Sequence, residues 1–382
     1  MKQNIGIKSL GNFLREVKLF FSSLSILTDL KNVKPKFIFF SENKSYQKYS
    51  KPIIEAILSK YPQQIYYFSI QKDDIIENKK ITNFFVNPFL LKFFFNNVKA
   101  ENMFLTLTDL GNHFIKKTKN IEKYIYYFHS PISTIKSYTP KAFDNYDIIM
   151  CNGKFQINEI ETRETLKNLP KKKLIPTGYF YFDYLVENSQ YDTECDEVLV
   201  APSWNKSEKN LINENFINLI DTLLEKNFKV IFRPHPEHFK RSKKILKIIK
   251  SKFLSKNFKF DKDSNNLTSM QRAKCLITDN SGIAIEYLIA FKKPVLYLDE
   301  LDKVHNSELK DYVGFKTIDQ IIKENFGYLF NKSDFSEIDT IINNSELNLK
   351  KKLTKLDYLI NENYFNFGET KKFLSLNLDK FF

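Results

Sequence analysis

The chain has 382 residues, long enough for two domains of ordinary size; 42% are hydrophobic, enough to fill their cores, and the formal net charge is +14 at pH 7. The lysines are spread along the chain and no nucleic-acid-binding signature stands out, so the charge points away from nucleic acid and towards a basic surface, an anionic membrane or phosphorylated substrates. Cys151, Cys195 and Cys275 are too far apart for a Cys-x-x-Cys metal site or a disulfide framework, and no run reaches the ~18–20 apolar residues that cross a bilayer.

In chain order, residues 10–27 place Leu10, Phe13, Leu14, Val17, Phe20, Phe21, Leu24 and Leu27 at helical spacing, with Arg15 and Lys18 between them. This amphipathic helix has two readings: docking on the core, or anchoring on anionic lipid. The N-terminus carries charges through the region where a signal peptide would be apolar. The expected location is therefore the cytoplasm, extending to the inner face of the cell membrane if the helix meets lipid. Strand-like runs follow at 36–43, 64–70, 102–110, 123–130, 143–153 and 172–185, with a helical stretch at 45–61. The polar stretch 187–197 reads as a linker. The rhythm then restarts: strands at 198–204, 228–236, 274–279 and 293–299 alternate with helices near 211–227, 244–253 and 283–291. Apolar strands alternating with helices predict parallel sheets covered on both faces. The fold class is α/β, with two Rossmann-like domains facing each other across a cleft, and no internal sequence repeat joins them.

Three strand ends carry chemistry. In "CLITDNSGIAIEY" a strand ends at Thr278-Asp279 and a helix starts near Ser281 or Gly282. A helix N-terminus at such a place suits phosphate, Ser281 can cap the helix or donate its hydroxyl, and a glycine, one of only nine in the chain, would let the backbone approach the phosphate closely. The competing reading is a plain N-cap with a turn glycine. In "FRPHP" Arg233 and His235 follow a strand and would meet at the sheet edge, Arg to grip phosphate and His to donate a proton or hydrogen bond. In "YYFHSP" His129 ends a strand of the first half and fits a general base, against the reading of a structural histidine bonded to backbone. "DKD" at 261–263 matches an Asp-x-Asp metal pattern, a three-residue signal in a polar loop.

Together, "YYFHSP", "AFDNYD" with "GKFQINE", "PTGYFYFDYL", "VLVAPSW", "FRPHP" and "ITDNSGIAIEY" stand in an order that resembles the CDP-glycerol glycerophosphotransferase family of teichoic-acid and capsule polymerases, from about residue 125 to 300, and "NFGETKKFLSLNL" (366–378) resembles its closing segment. The resemblance implies a GT-B-like fold with residues 1–186 on the acceptor side, a linker at 187–197, a donor-binding domain at 198–365 and a C-terminal helix at 366–382 packing back on the first domain. It implies transfer of an alditol phosphate from a CDP-activated donor to a hydroxyl of a surface polysaccharide, teichoic-acid-like or lipid-linked acceptor, releasing CMP; no metal or other cofactor is expected if Arg233, His235 and the helix start at 281–283 stabilise the phosphate charge. It matches His129 to the family's base, His235 to the histidine of its Arg-x-His-Pro-like motif, and Thr278, Asp279 and Ser281 to its Thr-Asp-Tyr-Ser-Ser motif; joined to the reading of the strand ends, this makes His129 and His235 the catalytic candidates and Arg233, Thr278, Asp279, Ser281, Gly282 and Glu286 the donor-binding ones. The sequence departs from the family pattern at Ser130 (glycine there), Asn280 (tyrosine), Gly282 (a second serine) and Glu286 (Asp). A glycosyltransferase using a nucleotide sugar, where an acid after a glycine-bearing turn binds ribose, is the alternative enzyme; a non-catalytic scaffold is the alternative from another class, disfavoured by the intact His129 and His235.

Overall fold

The computed structural model describes residues 34–382 except 109, 113–114, 190–194, 205–211, 280 and 299–303, together with residues 21 and 25. The amphipathic segment 10–27 therefore lies, but for those two positions, outside the described residues. The described chain forms two parallel sheets. The first contains β1 (Phe37–Ser41), β2 (Ile65–Ser69), β3 (Ile81–Phe85), β4 (Ala100–Leu105), β5 (Ile121–Tyr127), β6 (Ile148–Cys151) and β7 (Lys173–Pro176), in the order β3-β2-β1-β4-β5-β6-β7. The second contains β8 (Glu197–Val200), β9 (Lys229–Phe232), β10 (Phe258–Phe260), β11 (Ala273–Thr278), β12 (Val295–Leu298) and β13 (Tyr328–Phe330), in the order β10-β9-β8-β11-β12-β13. Both sheets thus step outward from their first strand and then reverse, the doubly wound pattern of two Rossmann-like halves.

The strands at the centre read as unbroken apolar runs because helices cover both faces: every residue of β1, β6, β8 and β12 is buried. The strands without a sequence signal are β3, β10 and β13. All three are sheet edges and only partly buried, so their patterning is weak. The run 172–185 is divided: after β7 the chain turns at Gly178 with φ +90° and continues as the helix Phe180–Asn188, not as strand. Its aromatic residues are helical because they fill the seam between the halves.

That seam is one continuous core. The helix Gly282–Phe291 of the second half packs on Phe180–Asn188, and every residue from Ala284 to Phe291 is buried, as expected for a helix that is apolar all round. The C-terminal helix Thr370–Phe381 lies against the helix Gln47–Lys60, and the terminal Phe382 ring sits 5.3 Å from Phe104 and 6.2 Å from Phe37. Among the described residues no helix is long and apolar enough to cross a membrane.

Candidate active site

A doubly wound sheet opens a crevice beyond the carboxyl ends of the strands where its order reverses, here between β1 and β4 in one half and β8 and β11 in the other. The segments after β1, β5, β8, β9 and β11 converge there on a cleft with a cavity of about 350 Å³, lined from one half by Lys48, His129 and Ser130 and from the other by Arg233, His235, Ser281, Gly282 and Glu286. Six of the eight residues picked from the sequence are therefore brought together. Arg233 and Ser281 do not follow adjacent strands, because β8 runs between β9 and β11.

Thr278 and Asp279 do not line this cleft. The Thr278 side chain is fully buried and donates to the Ala201 carbonyl at 2.6 Å. Asp279 accepts from the Ser203 backbone N–H at 2.7 Å and from the Ser203 hydroxyl. Both side chains fasten the end of β11 to the segment after β8. His238, also buried, adds to the latch, with Nε2 3.1 Å from the Ser203 carbonyl and Nδ1 3.1 Å from the Ser242 hydroxyl. In this structure the Thr278 and Asp279 side chains thus hold the strand end together and do not line the cleft where the resemblance would place the donor.

Beyond the latch, Ser281 is the N-cap of the helix Gly282–Phe291 with extended backbone, and its side chain makes no capping bond, so the hydroxyl is not spent on its own helix. Gly282 answers to a different neighbour than the sequence suggested. A Cβ there would fall 2.2 Å from the Ser130 hydroxyl oxygen and 3.7 Å from Ile132 Cγ2, so the missing side chain makes room for the opposite half of the molecule.

Arg233 keeps its place at the cleft but not all its donors. One terminal nitrogen donates to Asp261 at 2.6 Å and the other to the Asp263 carbonyl at 2.6 Å. Asp261 also accepts from Ser269, so the Asp-x-Asp pattern is occupied holding an arginine. Among the described residues no three His, Cys, Asp or Glu side chains group as metal ligands. His235 caps the helix Pro236–Arg241, its Nδ1 accepting from the Glu237 N–H at 3.2 Å, which leaves the proton of a neutral ring on Nε2.

On the opposite wall, His129 sits among tyrosines, its ring centroid 5.3 Å from Tyr46, 6.2 Å from Tyr49 and 6.4 Å from Tyr138. Its Nδ1 is buried with no hydrogen-bond partner among the described residues. Burial, and secondarily the Lys48 charge, push its pKa down to about 4, so the imidazole is neutral at pH 7. Lys48, which no motif marked, spans the cleft. Its ammonium donates to Asn266 Oδ1 at 3.2 Å and lies 4.2 Å from the Tyr181 ring centre. Burial lowers its pKa to about 8, against the pull of Glu286. Asn266 in turn reaches the carboxylate of Glu286 at 3.4 Å, and the Tyr179 hydroxyl donates to it at 2.6 Å. Glu286 is itself buried, and burial raises its pKa although Lys48 and these donors oppose the shift. The cleft therefore holds a neutral histidine beside a hydrogen-bonded Lys48–Asn266–Glu286–Tyr179 chain that joins a lysine to an acid with members from both halves.

Residues 23–318, most of the chain, match the family described as CDP-glycerol:poly(glycerophosphate) glycerophosphotransferase. The chain belongs to this family. It is accordingly a glycerophosphotransferase acting on CDP-glycerol, and the sugar-nucleotide alternative falls away. Solved structures carry the same fold. The wall teichoic acid polymerase TagF, as a histidine-to-alanine variant, is similar over 98% of this chain and 97% of its own, with 16% identity and a TM-score of 0.61. The S. aureus MnaA–UDP complex is similar over 91% and 96%, with 11% identity and a TM-score of 0.55. The Methanocaldococcus jannaschii UDP-GlcNAc 2-epimerase, in complex with UDP-GlcNAc and UDP, is similar over 81% and 92%, with 15% identity and a TM-score of 0.51. These likenesses bear out the GT-B-like two-domain architecture. No match was found among curated protein sequences.

Proposed function

We propose that the enzyme extends a polymeric acceptor by transferring glycerol phosphate across this cleft, with the donor held by the second half and the acceptor hydroxyl presented by the first. The supporting observation is that His129 and the Arg233/His235/Ser281 group come from opposite halves and line the same cavity. The division assigns residues 1–186 to the acceptor, 187–197 to the linker, 198–365 to the donor and 366–382 to a closing helix. In this reading the donor diphosphate lies at the N-terminus of the helix Gly282–Phe291, where unspent backbone N–H groups and the Ser281 hydroxyl meet one phosphate and His235 Nε2–H meets the other. Neutral His129 takes the proton of the acceptor hydroxyl as its oxygen attacks the β-phosphorus. The bond from that phosphorus to the oxygen bridging to the α-phosphorus breaks, and CMP leaves with the bond's electrons. Glu286 repels phosphate and accepts hydroxyls of glycerol or ribose instead. Arg233 and Lys48 supply positive charge and His235 a hydrogen bond, so the reading includes no resident metal.

The test is CMP release by purified protein from CDP-glycerol, with UDP- and GDP-sugars as competitors and with EDTA present. Release from CDP-glycerol alone, surviving EDTA, is the expected result; UDP or GDP release would overturn the donor assignment. Contact with the inner membrane face through residues 10–27 and recognition of a lipid-linked acceptor belong to the same proposal. Sedimentation with anionic vesicles at low salt checks them, and protein left wholly in the supernatant would end the anchor idea.

A further inference from the structure

A second cavity of about 350 Å³ opens beside the cleft, between the start of the helix Gln47–Lys60 and the turn at 264–265. Ser45, Lys48 and Ser264 line both cavities, so the two are continuous past Lys48. Along the new groove the sequence "KSYQKYSK" sets Lys44, Lys48 and Lys51 at i, i+4 and i+7, one stripe that leads from the cleft outward. Lys48 is engaged with Asn266, but Lys44 and Lys51 are exposed and neither side chain is in an ion pair among the described residues. The groove's acids are arranged differently. Glu55 is paired with Lys371, and one Asp183 oxygen accepts from the Lys371 backbone N–H at 3.0 Å. Glu187, the third acid of the lining, is exposed but lies on the helix Phe180–Asn188, whereas the segment 44–51 that continues into the cleft presents only positive charge, on the side where His129 would receive an acceptor.

We propose that this groove is a subsite for the already polymerised part of the acceptor, a polyol-phosphate chain whose phosphodiesters lie along Lys44 and Lys51 while its terminal hydroxyl passes Lys48 into the cleft. The inference rests on the acceptor side assigned above. It adds that the enzyme holds the growing chain behind its end, and so favours acceptors of several repeats over a single unit. Exposed lysines suit a moving chain, because each phosphate contact is weak and salt-screened, which lets the polymer slide forward by one repeat after each addition.

The experiment compares wild type with the double variant K44E/K51E, both residues lying outside the catalytic group. A fluorescently labelled oligo(glycerol phosphate) of several repeats is titrated by anisotropy, with an uncharged polyol oligomer of the same length as control. Wild type should bind the phosphate oligomer in a salt-dependent way and the variant about three- to thirtyfold more weakly, the range for two exposed ion pairs lost. Binding of the uncharged oligomer and the thermal midpoint should be the same for both. Equal affinity of the two proteins for the phosphate oligomer, or wild-type binding indifferent to salt, overturns the subsite. Turnover of CDP-glycerol, measured in parallel on a single-unit acceptor, should not differ between the two proteins. Absence of turnover in wild type would count against the enzymatic reading while the titration still decides the groove.

Discussion

His129 draws its chemistry from its surroundings. An imidazole with its ordinary pKa near 6.5 would be partly charged at neutral pH. Here burial first, and Lys48 second, favour the neutral ring and bring the pKa to about 4. A lowered pKa means that the proton is lost early as pH rises, so kcat/KM should stay level from about pH 7 down to about pH 5, fall on the acid side only near pH 4, and fall on the alkaline side as Lys48 loses its proton near pH 8. Removing the charge with Lys48→Met should move that acid limb upward, because the imidazolium is no longer repelled; an unmoved limb would show that Lys48 does not act on His129. His129→Ala should lower turnover by about two to four orders of magnitude, the range for a lost general base, with CDP-glycerol affinity near wild type by calorimetry. Gly282 makes a second point at this scale. The departures from the family pattern at Ser130 and Gly282 face each other, and what one position gains in side chain the other gives up. Gly282→Ser should therefore lower the melting temperature and activity, and adding Ser130→Gly should restore both. Additive losses in that double-mutant cycle would show that the two positions do not touch.

A strand end and the loop beside it form a unit when hydrogen bonds between them are buried. The end of β11 and the segment after β8 are such a unit, held by Thr278 on the Ala201 carbonyl, Asp279 on Ser203 and His238 on the Ser203 carbonyl. The helix Gly282–Phe291 starts three residues beyond Asp279, so the latch sets where its N-terminus points. Asp279→Asn keeps the shape but gives up one acceptor oxygen, which leaves a buried Ser203 donor unsatisfied at a cost of about 1–3 kcal/mol. The melting temperature should fall even without nucleotide, and nucleotide affinity should fall with it. If affinity fell with no thermal change, Asp279 would be a ligand contact and the latch would be refuted.

Across the whole molecule the halves meet away from the cleft as well as in it. Glu159, on the helix Lys154–Leu166, accepts from the Thr134 N–H at 2.6 Å, the Thr134 hydroxyl at 2.6 Å and the Ser133 hydroxyl. Asp319, at the start of the helix Ile318–Phe326 in the other half, accepts from the Ser133 N–H at 3.0 Å. Nearby, Arg163 forms a two-bond pair with Asp144 and reaches across to Glu308. Burial raises Glu159 to about 7 and Asp319 to about 6, outweighing the donors that hold their ionised forms. The folded chain thus keeps protons that the unfolded chain gives up near pH 4–4.5, unfolding releases protons in between, and stability should fall as pH rises from about 5 to 7. Thermal midpoints across that range should decline for wild type and flatten in Glu159→Gln. An equal slope in both would place the pH dependence elsewhere.

The sequence by itself determined the alternation of apolar strands with helices, and with it two parallel sheets, because burial on both faces writes a continuous apolar run. It also marked the ends of β5, β9 and β11 as the places of chemistry, since histidine, arginine and a serine-glycine helix start are uncommon just beyond such runs. Edge strands β3, β10 and β13 escaped it, half-exposed and so without a burial pattern to read. The division of labour within the site was decided only in three dimensions. Asp279 and Ser203 are 76 residues apart, and Lys48 and Asn266 are 218 apart. No local pattern tells an acid that will face a phosphate from one that will turn inward onto a distant N–H. The same holds for Gly282, whose spacing suggested room for a ligand and whose neighbour proved to be Ser130 of the opposite half. Local sequence sets which backbone forms and which groups are available; which groups are left over for a substrate depends on partners that only the packing of one half against the other supplies.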